Sequence, residues 1–383
     1  MLERITNDDP TFEGVLCLAG KILNYYAGGN TARGFYSLYD SNLENLDKVF
    51  ILKGGPGTGK SSLIKKVAAY WNEKGYDIEM LHCSADINSV DGVIIRALGV
   101  GIVDGTAPHV IEPKAPGAVE QYVNLGEAWD ASKLKESRSI IEEYAAKKSA
   151  AYEAAYAKFH KALKVHDEWE RYFIHNMNFE KANALTNWLI GEFFEGKSLD
   201  KKADIRHRYL GAATPVGARD FVPNLTEGLD KRFFIKGRPG SGKSTMLKKI
   251  VKHAEANGFD AEVYHCGFDP HSLDMVIIRE LGFAIFDSTA PHEYFPERDG
   301  DEIIDMYTST IREGTDERYE KEIESVAARY KAAMTEAIAL LAEAKEWHAK
   351  LEEVYVPAMD YTIVDKWTEH IQTEIREIAA SKQ

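Results

Sequence analysis

Two segments of this sequence have the composition to grip a chain of phosphates. The first is Lys53-Gly54-Gly55-Pro56-Gly57-Thr58-Gly59-Lys60-Ser61. The second, Lys236-Gly237-Arg238-Pro239-Gly240-Ser241-Gly242-Lys243-Ser244, lies 183 residues later. Each contains Gly-x-x-x-x-Gly-Lys-Ser in full. The glycines let successive backbone N–H groups turn inward around an anion. Lys60 and Lys243 are placed to reach β- and γ-phosphates, and the hydroxyls of Ser61 and Ser244 to ligate Mg²⁺. The residues expected on a nucleotide are Gly55, Pro56, Gly57, Thr58, Gly59, Lys60, Ser61 and Ser62 in the first segment. In the second they are Arg238, Pro239, Gly240, Ser241, Gly242, Lys243, Ser244 and Thr245.

Such a loop works with an acid on the metal side. Asp104 ends the apolar run Gly101-Ile102-Val103, and Asp287 ends Ala284-Ile285-Phe286, so both are expected to support Mg²⁺. A loop-capping role is the plainer alternative. Many hydrolytic phosphate-loop proteins carry Glu next, to orient the attacking water. Here Gly105 and Ser288 stand there, so the base comes from elsewhere, hydrolysis is slow, or the acceptor is not water. Asp86 and Asp269 are the first candidates for that base or for an acceptor-binding carboxylate, and Asp91 and Asp274 the second, against simple helix or turn capping. His109 and His292 are candidates for sensing a γ-phosphate, or are turn histidines. Arg96 and Arg279, each after Val-Ile-Ile, either pair a surface carboxylate or contact phosphate across the two halves. The pairs His82-Cys83 and His265-Cys266 make poor chelators, because adjacent strand residues point to opposite faces.

The elements around the loops give the motif its meaning. Val49-Phe50-Ile51-Leu52 and Phe233-Phe234-Ile235 read as buried strands entering the loops, and the segments from Ser61 and Ser244 as helices leaving them. From Leu46 to His109 the chain repeats without a gap at the same offset, with about half the positions identical by inspection. A tandem duplication follows. The predicted fold is α/β: two tandem P-loop domains, residues 1–200 and 201–383, each a mainly parallel sheet flanked by helices. The boundary falls in the polar run 196–206. Each half continues into a helical subdomain, about 127–195 and 315–380. Tyr152, Tyr156, Phe159 and Leu163 form one apolar stripe, and Ile323, Val326, Tyr330, Ala337, Leu341, Ala344 and Leu351 another. These helices either pack on their own domain's core or form a coiled-coil-like lid or docking arm.

Composition narrows the class. The formal charge of −14 argues against nucleic acid as a partner, since duplex binding is driven by phosphate neutralisation. The 3 cysteines, Cys17, Cys83 and Cys266, suit a reducing, cytoplasmic setting rather than a disulfide framework. No signal peptide is read in the start Met1-Leu2-Glu3-Arg4, and no run is long and apolar enough to suggest a membrane span.

The succession Lys-Gly-x-Pro-Gly-[Ser/Thr]-Gly-Lys-Ser, His-Cys, Asp-x-x-Ser-x-Asp-x-Val-Ile-Ile and Asp-x-Thr-Ala-Pro-His resembles a family of tandem-domain bacterial P-loop proteins. Its members are labelled predicted ATPases or nucleotide kinases. The resemblance extends through Pro113-Lys114-Ala115-Pro116-Gly117-Ala118-Val119 and implies nucleotide contacts at Lys60, Ser61, Lys243 and Ser244. In that pattern Val-Ile-Ile is often followed by Pro, whereas this chain has Arg96 and Arg279. The expected activity is Mg²⁺-dependent ATP hydrolysis driving a rearrangement of the halves, which the helical segments transmit to a protein partner. A small-molecule or nucleotide kinase and a non-catalytic nucleotide sensor are the alternatives. Without an Asn-Lys-x-Asp motif, adenine is favoured over guanine, with GTP the second choice.

Overall fold

The computed structural model describes residues 19–382, so Cys17 and the start of the chain lie outside the described residues. The layering follows from strand alternation. In the strand before the first loop, Phe50 and Leu52 enter one core while Val49 and Ile51 enter another.

The first half runs β1 (Ile22–Tyr25), β2 (Gly28–Thr31), β3 (Gly34–Ser37), α1 (Tyr39–Leu43), β4 (Lys48–Lys53), α2 (Lys60–Glu73), β5 (Ile78–His82), β6 (Val90–Ile95), β7 (Val100–Asp104) and β8 (Glu120–Asn124). Helices α3 (Ala131–Glu136), α4 (Arg138–Ile174) and α5 (Phe179–Phe194) follow. The second half repeats this as β9 (Ile205–Tyr209), β10 (Gly211–Thr214), β11 (Gly217–Asp220), α6 (Val222–Leu225), β12 (Lys231–Lys236), α7 (Lys243–Ala256), β13 (Ala261–His265), β14 (Leu273–Ile278), β15 (Phe283–Asp287) and β16 (Asp301–Asp305). It ends with α8 (Met306–Thr310), α9 (Thr315–Arg318), α10 (Glu320–Tyr355) and α11 (Tyr361–Ser381).

The sheets have matching orders, β1-β5-β6-β7-β4-β8 and β9-β13-β14-β15-β12-β16. All strands in each run one way except β6 and β14, which are antiparallel to both neighbours. The sheets are mainly parallel, as expected, and the one reversed strand in each makes them mixed. The reason is chain length: β5 returns into β6 through a tight turn closed by the Cys83 N–H to Ser89 O bond at 3.2 Å. A parallel return needs a crossover of a dozen residues or more.

The inner faces of the two sheets share one core. Tyr25, Ile51, Leu81, Ile94 and Val103 pack there with Leu210, Phe234, Tyr264, Met275, Ile277 and Phe286. On the outer faces, α2 and α7 cover their own sheets. The second helix on each outer face comes from the other half. Val364, Ile371, Ile375 and Ala379 of α11 pack with Leu63, Ile64, Val67 and Trp71 of α2. Leu189 and Phe194 of α5 pack with Met246, Leu247, Ile250 and Ala254 of α7. A buried Trp71 indole N–H donates to Gln372 Oε1 at 2.9 Å, satisfying both polar groups inside that contact. The long helices α4 and α10 lie antiparallel, with Tyr144 against Trp347 and Arg329 paired to Glu168. Ala155, Phe159, Leu163, Ala337 and Leu341 fill their seam against Ala32 and Ala213 of the small hairpins.

One buried cation bridges the halves. Arg208, 1% exposed, lies 2.9 Å from Glu79 Oε2 and 3.5 Å from Glu262 Oε2, over the ring of Tyr25. Burial alone would raise the Glu79 pKa, but Arg208 and Arg96 outweigh it and bring it down to about 2. The folded value lies below the unfolded one, so this stabilisation is complete above the ordinary value of 4.5 and is lost as pH falls from there towards about 2. The unfolding temperature is expected to fall across that window, and Glu79→Gln to flatten the fall in a calorimetric pH series. Arg208→Met leaves two buried carboxylates short of counter-charge, and is expected to cost about 3–5 kcal/mol in urea unfolding.

Candidate functional site

The first loop spans the gap between β4, ending at Lys53, and α2, beginning at Lys60. Gly57 and Gly59 sit at φ 68° and 82°, and Gly240 and Gly242 at 75° and 87°. These left-handed turns need glycine, and they aim the loops at the positive ends of α2 and α7. Thr58 Oγ1 donates to Gly55 O at 2.9 Å. Lys60 Nζ donates to Gly54 O and Gly55 O, both at 2.9 Å, and lies 3.7 Å from Asp104 Oδ2. Lys243 Nζ donates to Arg238 O at 3.0 Å and lies 3.5 Å from Asp287 Oδ2. Ser61 Oγ accepts the Val90 N–H at 3.0 Å, as Ser244 Oγ accepts that of Leu273 at 3.0 Å. Lysine and metal-side acid therefore meet beside each loop.

The donor set suits Mg²⁺. Asp104 commits Oδ1 to the Thr106 N–H at 2.8 Å, leaving Oδ2 beside the loop; Asp287 Oδ1 takes the Thr289 N–H at 3.1 Å. With the serine hydroxyl these are hard oxygen ligands. Ser61 with Asp104, and Ser244 with Asp287, would hold the ion, which when bound neutralises charge on the β- and γ-oxygens.

The histidines sit behind the acids. His109 Nε2 is 2.9 Å from Asp91 Oδ2, and Asp91, Asp104 and His109 offer ligand atoms within 4.8 Å of one another. Burial opposes the His109 imidazolium, but Asp91 prevails and holds its pKa above the ordinary value. The second half differs. His292 Nδ1 pairs with Asp220 Oδ2 at 2.8 Å, and Asp220 stands where the first half has Ser37. Asp274, the counterpart of Asp91, has its pKa pushed up by burial and by the Asp287 carboxylate. Burial raises the thiol pKa of the half-buried Cys83 and Cys266, so neither is a ready nucleophile.

Asp86 and Asp269 are each held by a cation from the other half. Lys345 Nζ is 2.7 Å from Asp86 Oδ1, and Arg33 Nε is 2.9 Å from Asp269 Oδ1. Arg96 and Arg279 are not brought to the loops. Because β6 runs antiparallel, Arg96 follows the strand end beside Val100, at the start of β7, on the sheet edge opposite the first loop. There it donates to Glu79 Oε2 at 2.8 Å and to Asn42 O. Arg279 likewise donates to Glu262 Oε1 at 2.6 Å.

Residues of the long helices, not singled out in the sequence, do reach the loops. Tyr361 Oη donates to Gly57 O at 2.8 Å. A Cβ on Gly57 would lie 2.8 Å from Val356 Cγ2 and 3.8 Å from Glu352 Cα, and one on Gly240 would lie 2.6 Å from Glu170 O. Two i, i+4 pairs stand at these contacts: His348 with Glu352 at 3.7 Å, and His166 with Glu170 at 3.8 Å. The signal was in the sequence, since these pairs lie 182 residues apart. On a charged helix they resemble any other solvated face.

In the first half the missing Glu after the metal-side acid has a steric reason. A Cβ at Gly105 would lie 2.3 Å from Ile51 Cγ2. Ser288 Oγ is turned away to Tyr294 O at 2.7 Å.

A family model for the KAP family P-loop domain matches residues 36–193, from within β3 to the last turn of α5. This supports a nucleotide-binding P-loop NTPase domain in the first half; the match does not extend to the second loop. Comparison with curated proteins and with solved structures gives no match. No helix among the described residues is long and apolar enough to cross a membrane.

Gly105→Ala forces its new methyl into the buried Ile51. It is expected to cost about 1–3 kcal/mol, read as a lower urea midpoint.

Proposed function

We propose that this chain is a Mg²⁺-dependent ATPase with two nucleotide sites, whose hydrolysis rearranges the two halves. The observation that carries the reading is that each phosphate loop is touched by a helix of the opposite half. A triphosphate entering the first loop gives Lys60 charged oxygens in place of the Gly54 and Gly55 carbonyls it now holds. Any shift of Gly57 that follows moves Tyr361 and Val356, and through them α10 and α11. Nucleotide then binds two arrangements of the halves with different affinity, which is the condition for coupling. Asp104 and Asp287 serve as the metal-side acids, backed by His109 on Asp91 and by His292 on Asp220. ATP is proposed over GTP for want of a guanine-reading motif.

A kinase is the second reading, favoured by Gly105 and Ser288 in place of a water-orienting Glu. Nucleotide-binding stoichiometry and phosphate release separate the readings. Two ATP per chain are expected, falling to one in Lys60→Ala or Lys243→Ala, with phosphate release lost in the double variant. ATP bound without phosphate release, with ADP and a phosphorylated acceptor formed once a small acceptor is added, would favour the kinase. No nucleotide binding at all would overturn both.

A further inference from the structure

We propose that each phosphate loop receives its water-activating carboxylate from the opposite half: Glu352 of α10 at the first loop, and Glu170 of α4 at the second. This rests on the ATPase reading above and names the base that reading lacks.

Position comes first. The two glutamates occupy matched places, 182 residues apart, near the ends of the paired long helices. Each lies against the fourth residue of its loop, Gly57 or Gly240, whose N–H faces the carboxylate. In a Gly-x-x-x-x-Gly-Lys-Ser loop the backbone N–H groups face the phosphates. A carboxylate at this N–H therefore borders the phosphate site, and a triphosphate that takes the N–H frees the carboxylate for the water.

The alternatives are weaker. The strand-end position is closed at Gly105 by Ile51 and filled at Ser288 by a side chain bonded to Tyr294. Asp86 is tied to Lys345; burial opposes its charge, but the bond to Lys345 and its turn hydrogen bonds win and lower its pKa. A lowered pKa makes a poorer proton acceptor. Asp269 is likewise occupied by Arg33. The grouping of His166, Asp167 and Glu170 is not shared, because Ala349 stands at the counterpart of Asp167. The feature common to both sites is the glutamate with its histidine.

Environment suits the task. Burial and Asp86 raise the pKa of Glu352, and burial and Asp167 raise that of Glu170, which strengthens each as a base. Burial, with Lys148 and Lys60, brings His348 down to about 4, and burial lowers His166. Both imidazoles are therefore neutral near pH 7 and leave the carboxylate charge intact.

The step balances. Water oxygen bonds to the γ-phosphorus as the bond from that phosphorus to the β–γ bridging oxygen breaks. The water's proton passes to the glutamate and then to the released phosphate, leaving ADP. Because the carboxylate arrives on the other half's helix, a loop separated from that helix binds nucleotide but does not cleave it.

The test is turnover and ATP affinity of Glu170→Gln/Glu352→Gln, with Glu352→Gln in a Lys243→Ala background isolating the first site. We expect turnover to fall by about a hundredfold or more, with ATP affinity within about threefold of the parent. Turnover within twofold of the parent, with ATP bound, overturns the assignment and leaves the ATPase reading standing. Loss of ATP affinity in step with turnover also overturns it, since the carboxylate then serves the loop's shape. A parent protein that binds ATP but releases no phosphate overturns the ATPase reading and this assignment with it.

Discussion

An apolar sheet face must be covered, and here each outer face is covered half by its own helix and half by a helix of the other repeat. Ile371 and Ile375 of α11 lie fully buried on the first half, and Leu189 and Phe194 of α5 on the second. Fully burying such side chains stabilises by about 1.5–3 kcal/mol each, so separating the halves would expose cores on both sides. The long helices inherit their placement from this exchange. To carry α5 and α11 across, α4 and α10 must run past each other, and in doing so they pass over both phosphate loops.

The two halves have the same topology but not the same electrostatics. Arg208 replaces Tyr25 at the matched position, so one guanidinium serves the glutamates of both sheets. Asp220 replaces Ser37 and takes His292 away from Asp274, whereas His109 keeps Asp91. Next to the first site Lys148 is near enough to Lys60 for their charges to oppose, while Tyr330 stands at its counterpart near the second. The sites share geometry around the phosphates and differ in the charge behind them.

Much of this was legible in the residues. The glycine spacing placed both loops, and the apolar runs ending in Asp104 and Asp287 placed the strands beside them, because phosphate binding and strand alternation are local. The helical segments were legible from their stripes. What each stripe covers was not, since an apolar face does not name its partner. Val-Ile-Ile-Arg read as a strand followed by an available arginine. Its direction, and so the distance of Arg96 from the loop, depended on the short return from β5. Glu170 and Glu352 were hidden for a related reason: their importance comes only from a contact between distant parts of the chain.

The exchange of α5 and α11 also constrains how the molecule is made. Domains usually fold as units during synthesis, the earlier one first. Here the first sheet's outer layer is incomplete until residues 361–381 have left the ribosome. The first half must wait with Leu63, Val67 and Trp71 partly bare, a state that invites chaperone binding. A ribosome stalled just after α7 would present a nascent chain with both phosphate loops made and no finished domain to carry either.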